Sequence, residues 1–296
     1  MKSSTYLHYR SKNAFSLIEL SIVILIVGIL IAGVTSSSRL VKRMKVITAQ
    51  NLTQSSPVPS IKDLSVWYET SLDRSFIDSE ESDGTPITTW FDNNIQSSFK
   101  YDFKQPTVAN QPKYSEGIIN NLPAVRFDGV DDFMMASQVG ISGKGLTAFI
   151  VGQRMNYPGG WQSLLTGLGA GQTDAYLGGS YVLFGEWSSA FGVAYNNQWT
   201  YSTIAFPGNG IPFIYATIFS ETNNMLYFNG LNTGSLNLNY KVLLDSLQLG
   251  TRYTNGGYGY YNGYASEIII YSRALNTEER KSVESYLSKK YSIKIV

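Results

Sequence analysis

The stretch from Lys12 to Val34, KNAFSLIELSIVILIVGILIAGV, divides the chain into two parts of different character. Glu19 is the only charged side chain between Lys12 and Arg39, and the run from Phe15 to Val34 is otherwise almost wholly apolar. A helix of about 20 such residues, rising about 1.5 Å per residue, crosses a bilayer core of about 30 Å. The sequence therefore predicts a transmembrane helix over residues 15–34 with one carboxylate inside it.

Glu19 is the residue in this helix that needs an explanation. A charged side chain in the middle of a membrane helix costs about 2.5–3.5 kcal/mol on insertion scales, so it indicates a functional site by default. The alternative is that Glu19, only five residues into the span, snorkels to the membrane surface. A nearby cation would offset the cost, because Coulomb attraction grows as the effective dielectric falls.

The residues around Glu19 resemble the type IV prepilin signal that pilins share with type II secretion and competence pseudopilins. A short basic leader, residues 1–14, ends in the small Ala14, and the aromatic Phe15 follows it. The resemblance implies that prepilin peptidase cleaves between Ala14 and Phe15 and that Phe15 is then N-methylated. It also implies that Glu19 pairs with the amino terminus of a neighbouring pilin or pseudopilin subunit during assembly. The family usually has Gly where this chain has Ala14.

Two other readings of the N-terminus remain. A conventional secretory signal has an apolar region of 7–15 residues closed by an A-x-A-like site, and neither feature is present here. A plain signal anchor would account for the hydrophobicity, but not for Glu19 or its spacing from Phe15. Basic residues flank both ends of the span, so counting them does not set its orientation. The prepilin resemblance implies a single-pass protein of the bacterial inner membrane, with the leader in the cytoplasm and the rest periplasmic or extracellular, or in a surface filament.

Composition excludes several chemistries. The 296 residues include no Cys, which excludes disulfides and thiolate catalysis. The one histidine, His8, lies in the leader, so the processed chain would lack His-based metal sites and Ser-His-Asp catalysis. Residues 61–296 carry sixteen Lys and Arg against twenty-one Asp and Glu, a net charge of about −5 that disfavours nucleic-acid binding.

The body of the chain has the pattern of an all-β domain. We expect one long helix over residues 15–54, a Pro-containing linker at 55–60, and a single domain over 61–296. Short runs rich in Tyr, Phe, Val, Ile and Thr predict strands at 65–68, 124–127, 146–151, 181–184, 213–218 and 225–228. Many short strands separated by turn residues indicate a β-sandwich.

Two local signals add detail to this prediction. Asn229-Gly230 directly follows a strand and is a strong hairpin signal. Asn276, with Glu279 three residues later, predicts a capping box at the start of a C-terminal helix. The apolar face of that helix, which we expect to pack on the sandwich, consists of Val283, Tyr286, Leu287 and Tyr291.

Residues 61–296 resemble the laminin G-like or concanavalin A-like jelly-roll modules of bacterial surface proteins. Four stretches carry the resemblance in the expected order, namely 63–68 (DLSVWY), 122–133 (LPAVRFDGVDDF), 226–230 (LYFNG) and 264–275 (YASEIIIYSRAL). The fold class that follows is mainly β. An N-terminal transmembrane and assembly helix precedes a concanavalin A-like β-sandwich with a short C-terminal helix.

Some modules of this fold bind calcium or sugars, and the sequence offers residues for both. Asp128, Asp131 and Asp132 could supply oxygen ligands to Ca²⁺, although such residues more often tie down a turn through side-chain hydrogen bonds. No other cofactor is expected.

A glycan ligand would need a surface of aromatic rings. The tyrosine tract at residues 252–264 offers such rings for stacking on sugars, carried by Tyr253, Tyr258, Tyr260 and Tyr261. Trp161, Trp187 and Trp199 are a second aromatic group. The alternative for both groups is that the tyrosines line an edge hairpin and the tryptophans fill the core.

We do not expect an enzyme. The Glu-x-Asp-x-Glu strand of the glucanases that share this fold is absent, and glycoside hydrolysis would need two carboxylates placed across a cleft. Only scattered acids such as Glu186 and Glu221 remain. The favoured function is a pilin-like filament subunit that displays a lectin-like module for adhesion. The alternatives are a membrane-anchored carbohydrate-binding module that does not polymerise and, less favoured, a glycan hydrolase.

Overall fold

The described part of the computed structural model contains two antiparallel β-sheets and two α-helices, and it is mainly β as the sequence predicts. The structure describes residues 17–157, 159–173, 181–187, 190–195, 198–205, 208–239, 241–254 and 258–296. The expected order of N-terminal helix, sandwich and short C-terminal helix is confirmed.

The N-terminal helix, α1, runs from Leu17 to Gln54. Its large apolar side chains between Leu17 and Ile31 are exposed. Within the part of the chain that the structure describes, no helix is both long and apolar enough to cross a membrane. Phe15, Ser16 and the side chains of residues 32–34, which complete the predicted span, lie outside the described residues.

The chain divides into two compact units inside α1. The helix up to Met44 lies in one unit, and Lys45–Val296 form the other. The last turns of α1 are therefore part of the sandwich unit, where Ala49 and Thr53 are buried. After Gln54 the helix stops ahead of Pro57, because proline cannot continue it, and a short 3-10 turn over Val58–Ser60 follows.

Sixteen strands are present among the described residues, and they are numbered in chain order. They are β1 (Leu64–Glu69), β2 (Thr89–Trp90), β3 (Phe103–Lys104), β4 (Lys113–Ile119), β5 (Leu122–Asp128), β6 (Met134–Gly143), β7 (Leu146–Arg154), β8 (Trp161–Leu168), β9 (Tyr181–Trp187), β10 (Ala190–Tyr195), β11 (Gln198–Tyr201), β12 (Pro212–Phe219), β13 (Asn223–Phe228), β14 (Leu231–Asn237), β15 (Val242–Leu249) and β16 (Asn262–Tyr271). Each of the six predicted strands lies within one of them.

The strands form two eight-stranded antiparallel sheets. The first sheet has the order β14-β13-β12-β7-β16-β5-β4, and the second has the order β11-β10-β9-β8-β15-β6-β3-β2. In the first sheet, β1 shares one edge of β16 with β5. The start of β16 pairs with β5 up to Ala265, and from Glu267 onward it pairs with β1. The first strand of the chain is thus closed against the last.

Two apolar layers hold the fold together. The main core lies between the sheets and contains large aromatic side chains that are fully buried, among them Tyr68, Trp90, Phe103, Phe127 and Phe213. The second layer covers the other face of the first sheet, because strand residues alternate between faces. There Val151, Ile214 and Ile269 belong to one buried apolar cluster with residues of the C-terminal helix and of the end of α1.

The C-terminal helix, α2, spans Thr277–Tyr291 and has the predicted capping box. Asn276 accepts a hydrogen bond from the Glu279 backbone, and the Glu279 side chain accepts one from the Asn276 backbone. The predicted apolar face is buried on the first sheet. The predicted hairpin between β13 and β14 is also confirmed, since Asn229 and Gly230 adopt φ values of 47° and 81°, as a type I′ turn requires.

Candidate functional sites: an aromatic surface and a buried ionic cluster

Glu19 lies in the first turn of α1 as the structure describes it, and its side chain is exposed. Ala14 and Phe15, the residues on either side of the predicted cleavage, lie outside the described residues. Their roles stay predictions from the sequence.

The predicted calcium ligands form a tight turn after β5. Asp128 Oδ1 accepts hydrogen bonds from the backbone N–H groups of Val130 at 2.7 Å and Asp131 at 3.3 Å. Asp132 Oδ2 accepts one from the backbone N–H of Asp128 at 2.9 Å. Gly129, at φ 82°, supplies the left-handed conformation that the turn needs. The carboxylates of Asp128 and Asp132 therefore stabilise the turn.

The same turn has the donor set for a hard cation. One carboxylate oxygen from each of Asp128, Asp131 and Asp132 lies within 4.8 Å of the others, and Ca²⁺ prefers such oxygens. Burial raises the pKa of Asp132 to about 7, and the neighbouring negative charges of Asp128 and Asp131 add to the shift. Because Asp128 Oδ1 and Asp132 Oδ2 already accept backbone hydrogen bonds, calcium at this turn stays a prediction.

The tyrosine tract is divided between surface and core. Tyr258 is 48% exposed, while Tyr253 and Tyr260 are half-buried. The ring of Tyr253 lies 5.3 Å from the Arg252 guanidinium carbon. Tyr261 is only 4% exposed and lies in the main core, so a ligand on the surface does not reach it. Residues 255–257 of the tract lie outside the described residues.

Three other aromatic side chains stack at the surface of the second sheet. The ring centroids of Trp161 and Trp199 are 4.6 Å apart, and those of Trp199 and Tyr201 are 5.5 Å apart with ring planes at 10°. Tyr201 is 43% exposed, and both tryptophans are half-buried. We call Trp161, Trp199 and Tyr201 the aromatic column. The core alternative is thus wrong for Trp161 and Trp199, and the side chain of Trp187 lies outside the described residues.

The strand pattern explains why the column faces outward. In β11 the buried Thr200 separates Trp199 from Tyr201, so the two rings lie on the face away from the main core. Trp199 packs against Leu168 and Ala194, which form an apolar cluster separate from that core. The column is therefore an aromatic surface rather than part of the sandwich interior.

A buried ionic cluster is the feature that sequence reasoning missed. The ammonium Nζ of Lys290, on α2, lies 2.8 Å from Glu69 Oε2 and 2.9 Å from Glu267 Oε2, and all three side chains are 0% exposed. Glu267 also accepts hydrogen bonds from the side chains of Trp67, Tyr286 and Tyr291. One signal was available, because Glu267 is a charged residue inside an apolar strand, as Glu19 is in its helix.

The hydrogen bonds of the cluster keep Glu69 ionised. Burial would raise the pKa of Glu69, but the charge of Lys290 and hydrogen bonds from Lys290, Ser71 and Ser75 lower it to about 2. Burial likewise acts to lower the pKa of Lys290, and the two carboxylates outweigh it and raise that pKa. A buried ion pair without additional hydrogen bonds lowers the stability of a protein. The hydrogen bonds to the carboxylate oxygens therefore offset the cost of burying these charges.

The end of α1 forms hydrogen bonds with residues that surround this cluster. Thr53 Oγ1 and Tyr286 OH share a hydrogen bond at 3.2 Å, and Tyr286 OH also donates to Glu267. Gln50 Nε2 donates to the carbonyl oxygen of Ser71, a residue that itself hydrogen-bonds Glu69. The last turn of α1, the first strand, the last strand and α2 therefore meet at one polar site.

Of the two scattered acids named from the sequence, the structure describes the side chain of one. Glu221 is exposed and forms an ion pair with Lys144 at 3.2 Å. The side chain of Glu186 lies outside the described residues. The buried carboxylates of Glu69 and Glu267 are closed to solvent and share one cation, Lys290.

Comparison with a protein-family model confirms the N-terminal signal. Residues 9–35 match the prokaryotic N-terminal methylation motif, which includes Ala14, Phe15 and Glu19. The chain thus carries a prepilin-type N-terminus, of the class found in membrane-anchored or surface-filament proteins that are processed by prepilin peptidase. No curated protein matches the chain by sequence.

Comparison with solved structures concerns the sandwich. A Trypanosoma rangeli sialidase in complex with the inhibitor DANA is 13% identical, with a TM-score of 0.51 over 76% of this chain and 32% of that one. The same enzyme bound to 2,3-difluoro-KDN is 12% identical, with a TM-score of 0.50 over 84% of this chain and 38% of that one.

A domain of an extracellular arabinanase from Geobacillus stearothermophilus, in complex with arabinotriose, is 14% identical. It has a TM-score of 0.49 over 77% of this chain and 98% of the domain. The chain spans about a third of the length of the sialidases it resembles. At these identities the likeness to the sialidases concerns the fold alone, which is a β-sandwich in both proteins.

Proposed function

We propose that this protein is a pilin-like or pseudopilin subunit of a filament of the type IV pilus or type II secretion class. In this proposal the mature chain is anchored in the cytoplasmic membrane by α1 before assembly, and it displays its β-sandwich outside for adhesion to a glycan. The observation that carries the proposal is the methylation motif at residues 9–35, with Glu19 five residues into the mature chain.

The role of Glu19 follows from charge in a medium of low dielectric. Two opposite unit charges 4 Å apart attract by about 4 kcal/mol at an effective dielectric of 20 and by about 1 kcal/mol in water. A neighbouring subunit whose methylated amino terminus lies beside Glu19 gains this attraction, whereas a subunit in another register leaves the carboxylate unpaired. Glu19 would therefore set the register of the filament.

The role of the sandwich is proposed from its surface. Exposed aromatic rings stack on the apolar faces of sugar rings, and the aromatic column and Tyr258 present such rings. We propose binding rather than hydrolysis, because the glucanase carboxylate strand is absent from the sequence and Glu221 is paired with Lys144.

Assembly is tested by Glu19→Ala in cells that carry the filament machinery. The variant should be cleaved and methylated normally, with the mass of an N-methylated Phe15 terminus, yet be missing from sheared filaments. Ser21→Ala is a matched control, because the Ser21 hydroxyl donates a hydrogen bond to the Leu17 carbonyl of its own helix. Normal incorporation of the Glu19 variant would refute the register role.

Processing is tested at the residue before the cut. Ala14→Arg should abolish the mobility shift that prepilin peptidase produces, and Ala14→Gly, which restores the residue usual in the family, should keep it. A shift that persists in Ala14→Arg, or that the unaltered chain never shows, overturns the processing claim. Crosslinking through the mature helix separates the main alternative, since an anchor that does not polymerise gives no ladder of subunits.

A further inference from the structure

Most of β6 has a neighbouring strand on one side only. β15 pairs along β6 from Met134 to Gly143, whereas β3 pairs with it only through Lys104 and Met135. Apart from the ladder with β15, the backbone of residues 136–143 forms no hydrogen bond with any described segment. Alternate residues of a strand direct their N–H and C=O groups away from a given partner, so these residues have unpaired donors and acceptors. We call residues 136–143 the open edge of β6.

A β-bulge bends the open edge. The register with β15 shifts between Ser137 and Ile141, and within this stretch Gln138 and Gly140 both have a φ of 57°. A bulge increases the local twist of a strand and keeps its edge from pairing with a long, flat strand. The open edge is therefore suited to a short segment of chain rather than to the edge of a second whole sheet.

Two adjoining cavities lie along the open edge. A cavity of about 330 Å³ is lined by Met135 and Ser137, and one of about 220 Å³ is lined by residues 139–142. Tyr101 lines both cavities, so one continues into the other. Side chains two residues apart on a strand point to the same side and are about 7 Å apart. A strand lying along the open edge would therefore have two cavities available for its side chains.

The other residues that line these cavities offer hydrogen-bonding groups. Ser65, Ser97 and Tyr101 line the smaller cavity together with the open edge. The backbone of Tyr101 is fixed, since its carbonyl accepts a hydrogen bond from Tyr68 and its N–H donates to Asp92. Its half-buried phenol hydroxyl has no hydrogen-bond partner among the described residues. A polar group that is held in place and unpaired is preorganised for a ligand.

The larger cavity favours an acidic side chain. Its charged lining residues are Lys100, Lys104 and Asp102, a net charge of +1, although residues 61–296 carry about −5. Asp102 Oδ1 already accepts a hydrogen bond from the Asp92 backbone at 3.0 Å. Lys104 is exposed and forms no ion pair with a described residue. A carboxylate beside Lys104 would gain Coulomb attraction, and an ammonium group would be repelled.

We propose that the open edge of β6 binds a short, extended, acidic segment of a partner polypeptide by strand addition. The backbone of the segment pairs with residues 136–143, its alternate side chains enter the two cavities, and an acidic one lies beside Lys104. A polypeptide fits better than a glycan, because the unpaired groups of a strand edge have the spacing of another extended backbone. This site is separate from the aromatic column, and the proposed function does not depend on it.

The absence of cysteine allows a disulfide-tethering test on the full-length protein in detergent micelles. Ser142→Cys places a single thiol on the open edge, where Ser142 is exposed and lines a cavity. Ser235→Cys, at an exposed position of β14 in the other sheet, is the matched control. The probes are the peptide CGEVEVEVEV, its counterpart with Lys in place of Glu, and two forms of the Glu peptide N-methylated at either set of alternate residues.

Mass spectrometry after disulfide exchange in glutathione buffer gives the captured fraction of each probe. We expect the Glu peptide to be captured about tenfold more by Ser142→Cys than by Ser235→Cys, the effect of about 1.4 kcal/mol of binding. One N-methylated form, which lacks the donors that face β6, should fall to the control level. Adding Lys104→Glu should remove most of the preference. Lys294→Glu makes the same change in net charge at an exposed residue outside both cavities and should keep it.

Each contrary result overturns a stated part of the proposal. Equal capture by the two thiols, with circular dichroism showing an intact sandwich, overturns the site. Full capture of both N-methylated forms overturns strand addition, and equal capture of the Lys peptide overturns the acidic preference. Displacement of the tethered peptide by hexagalacturonic acid, but not by the Glu peptide without its Cys, would identify a glycan site instead. None of these results affects the Glu19 assembly experiment.

Discussion

Lys290 and Glu69 are 221 residues apart in sequence, and their charged atoms lie 2.8 Å apart in the interior of the protein. Glu267 lies against the same ammonium group at 2.9 Å. One cation is thus shared by two carboxylates, and hydroxyl, indole and backbone donors satisfy the remaining oxygens. This cluster joins α2 to the first and last strands. Its contribution to the free energy of unfolding can be measured with variants.

Replacing Lys290 by Met should destabilise the protein by about 3–5 kcal/mol, because two buried carboxylates lose their cation. Urea unfolding followed by circular dichroism gives this value. Lys289→Met is the matched control, since Lys289 is the adjacent residue and is exposed. Similar stabilities for the two variants would show that the cluster contributes little.

Low pH should reduce the free energy of unfolding, because Glu69 becomes protonated. Its pKa is about 2 in the folded state, against an ordinary value of 4.5. The stability from this group is therefore fully present above about pH 4.5 and is lost as the pH falls toward 2. The melting temperature measured between pH 2 and 6 should drop over this window, and Glu69→Gln, already less stable, should show a shallower drop. Parallel curves for both proteins would contradict the assignment.

The turn after β5 should respond to pH with the opposite sign. Burial raises the pKa of Asp132 to about 7 from an ordinary value of 3.8. Stability from this group is fully present below about pH 4 and is lost as the pH rises through 7. Asp132→Asn keeps an oxygen for the Asp128 N–H without the charge, so it should be more stable than the parent by about 2 kcal/mol at pH 8 and nearly equal at pH 4.

The effect of calcium on the melting temperature is a separate test of the same turn. Three ionised carboxylates within 4.8 Å repel one another, and a bound Ca²⁺ would offset this repulsion, so calcium should stabilise the parent most at pH 8. Melting temperatures in 5 mM calcium and in excess EGTA give the result. Equal values would show that the aspartates serve the turn alone.

The start of α2 offers a local test. Asn276 accepts a hydrogen bond from the Glu279 N–H, and Asn276→Ala should cost about 1 kcal/mol, as the loss of a helix cap does. Asn276→Ser preserves the cap and should cost much less. Thermal unfolding measures both, and equal losses would mean that the site responds to something other than capping.

Local features could be predicted from the sequence because their causes are local. The Asn229-Gly230 turn, the Asn276 capping box and the six strands depend on residues a few positions apart, and the structure contains all of them. The matched methylation motif likewise lies within 27 residues.

The buried ionic cluster and the burial of individual tyrosines could not be predicted, because they depend on contacts between distant segments. No local pattern indicates that Lys290 would lie between Glu69 and Glu267, because that arrangement exists only once β1 pairs with β16 and α2 covers both. The aromatic tract illustrates the same limit. Tyr258 and Tyr261 are three residues apart in one tract, yet one is at the surface and the other in the core.

The position of Lys290 after every strand has a consequence for the order of folding. Glu69 appears in the first strand, and β1 closes on β16 only when nearly all of the sandwich has been made. Without α2, closing β1 on β16 would bury two carboxylates that have no cation, which is strongly unfavourable. We therefore expect β1 to close stably on β16 only once α2 is in place. Lys290 thus makes the stability of the sandwich depend on α2, which follows the described strands in the sequence.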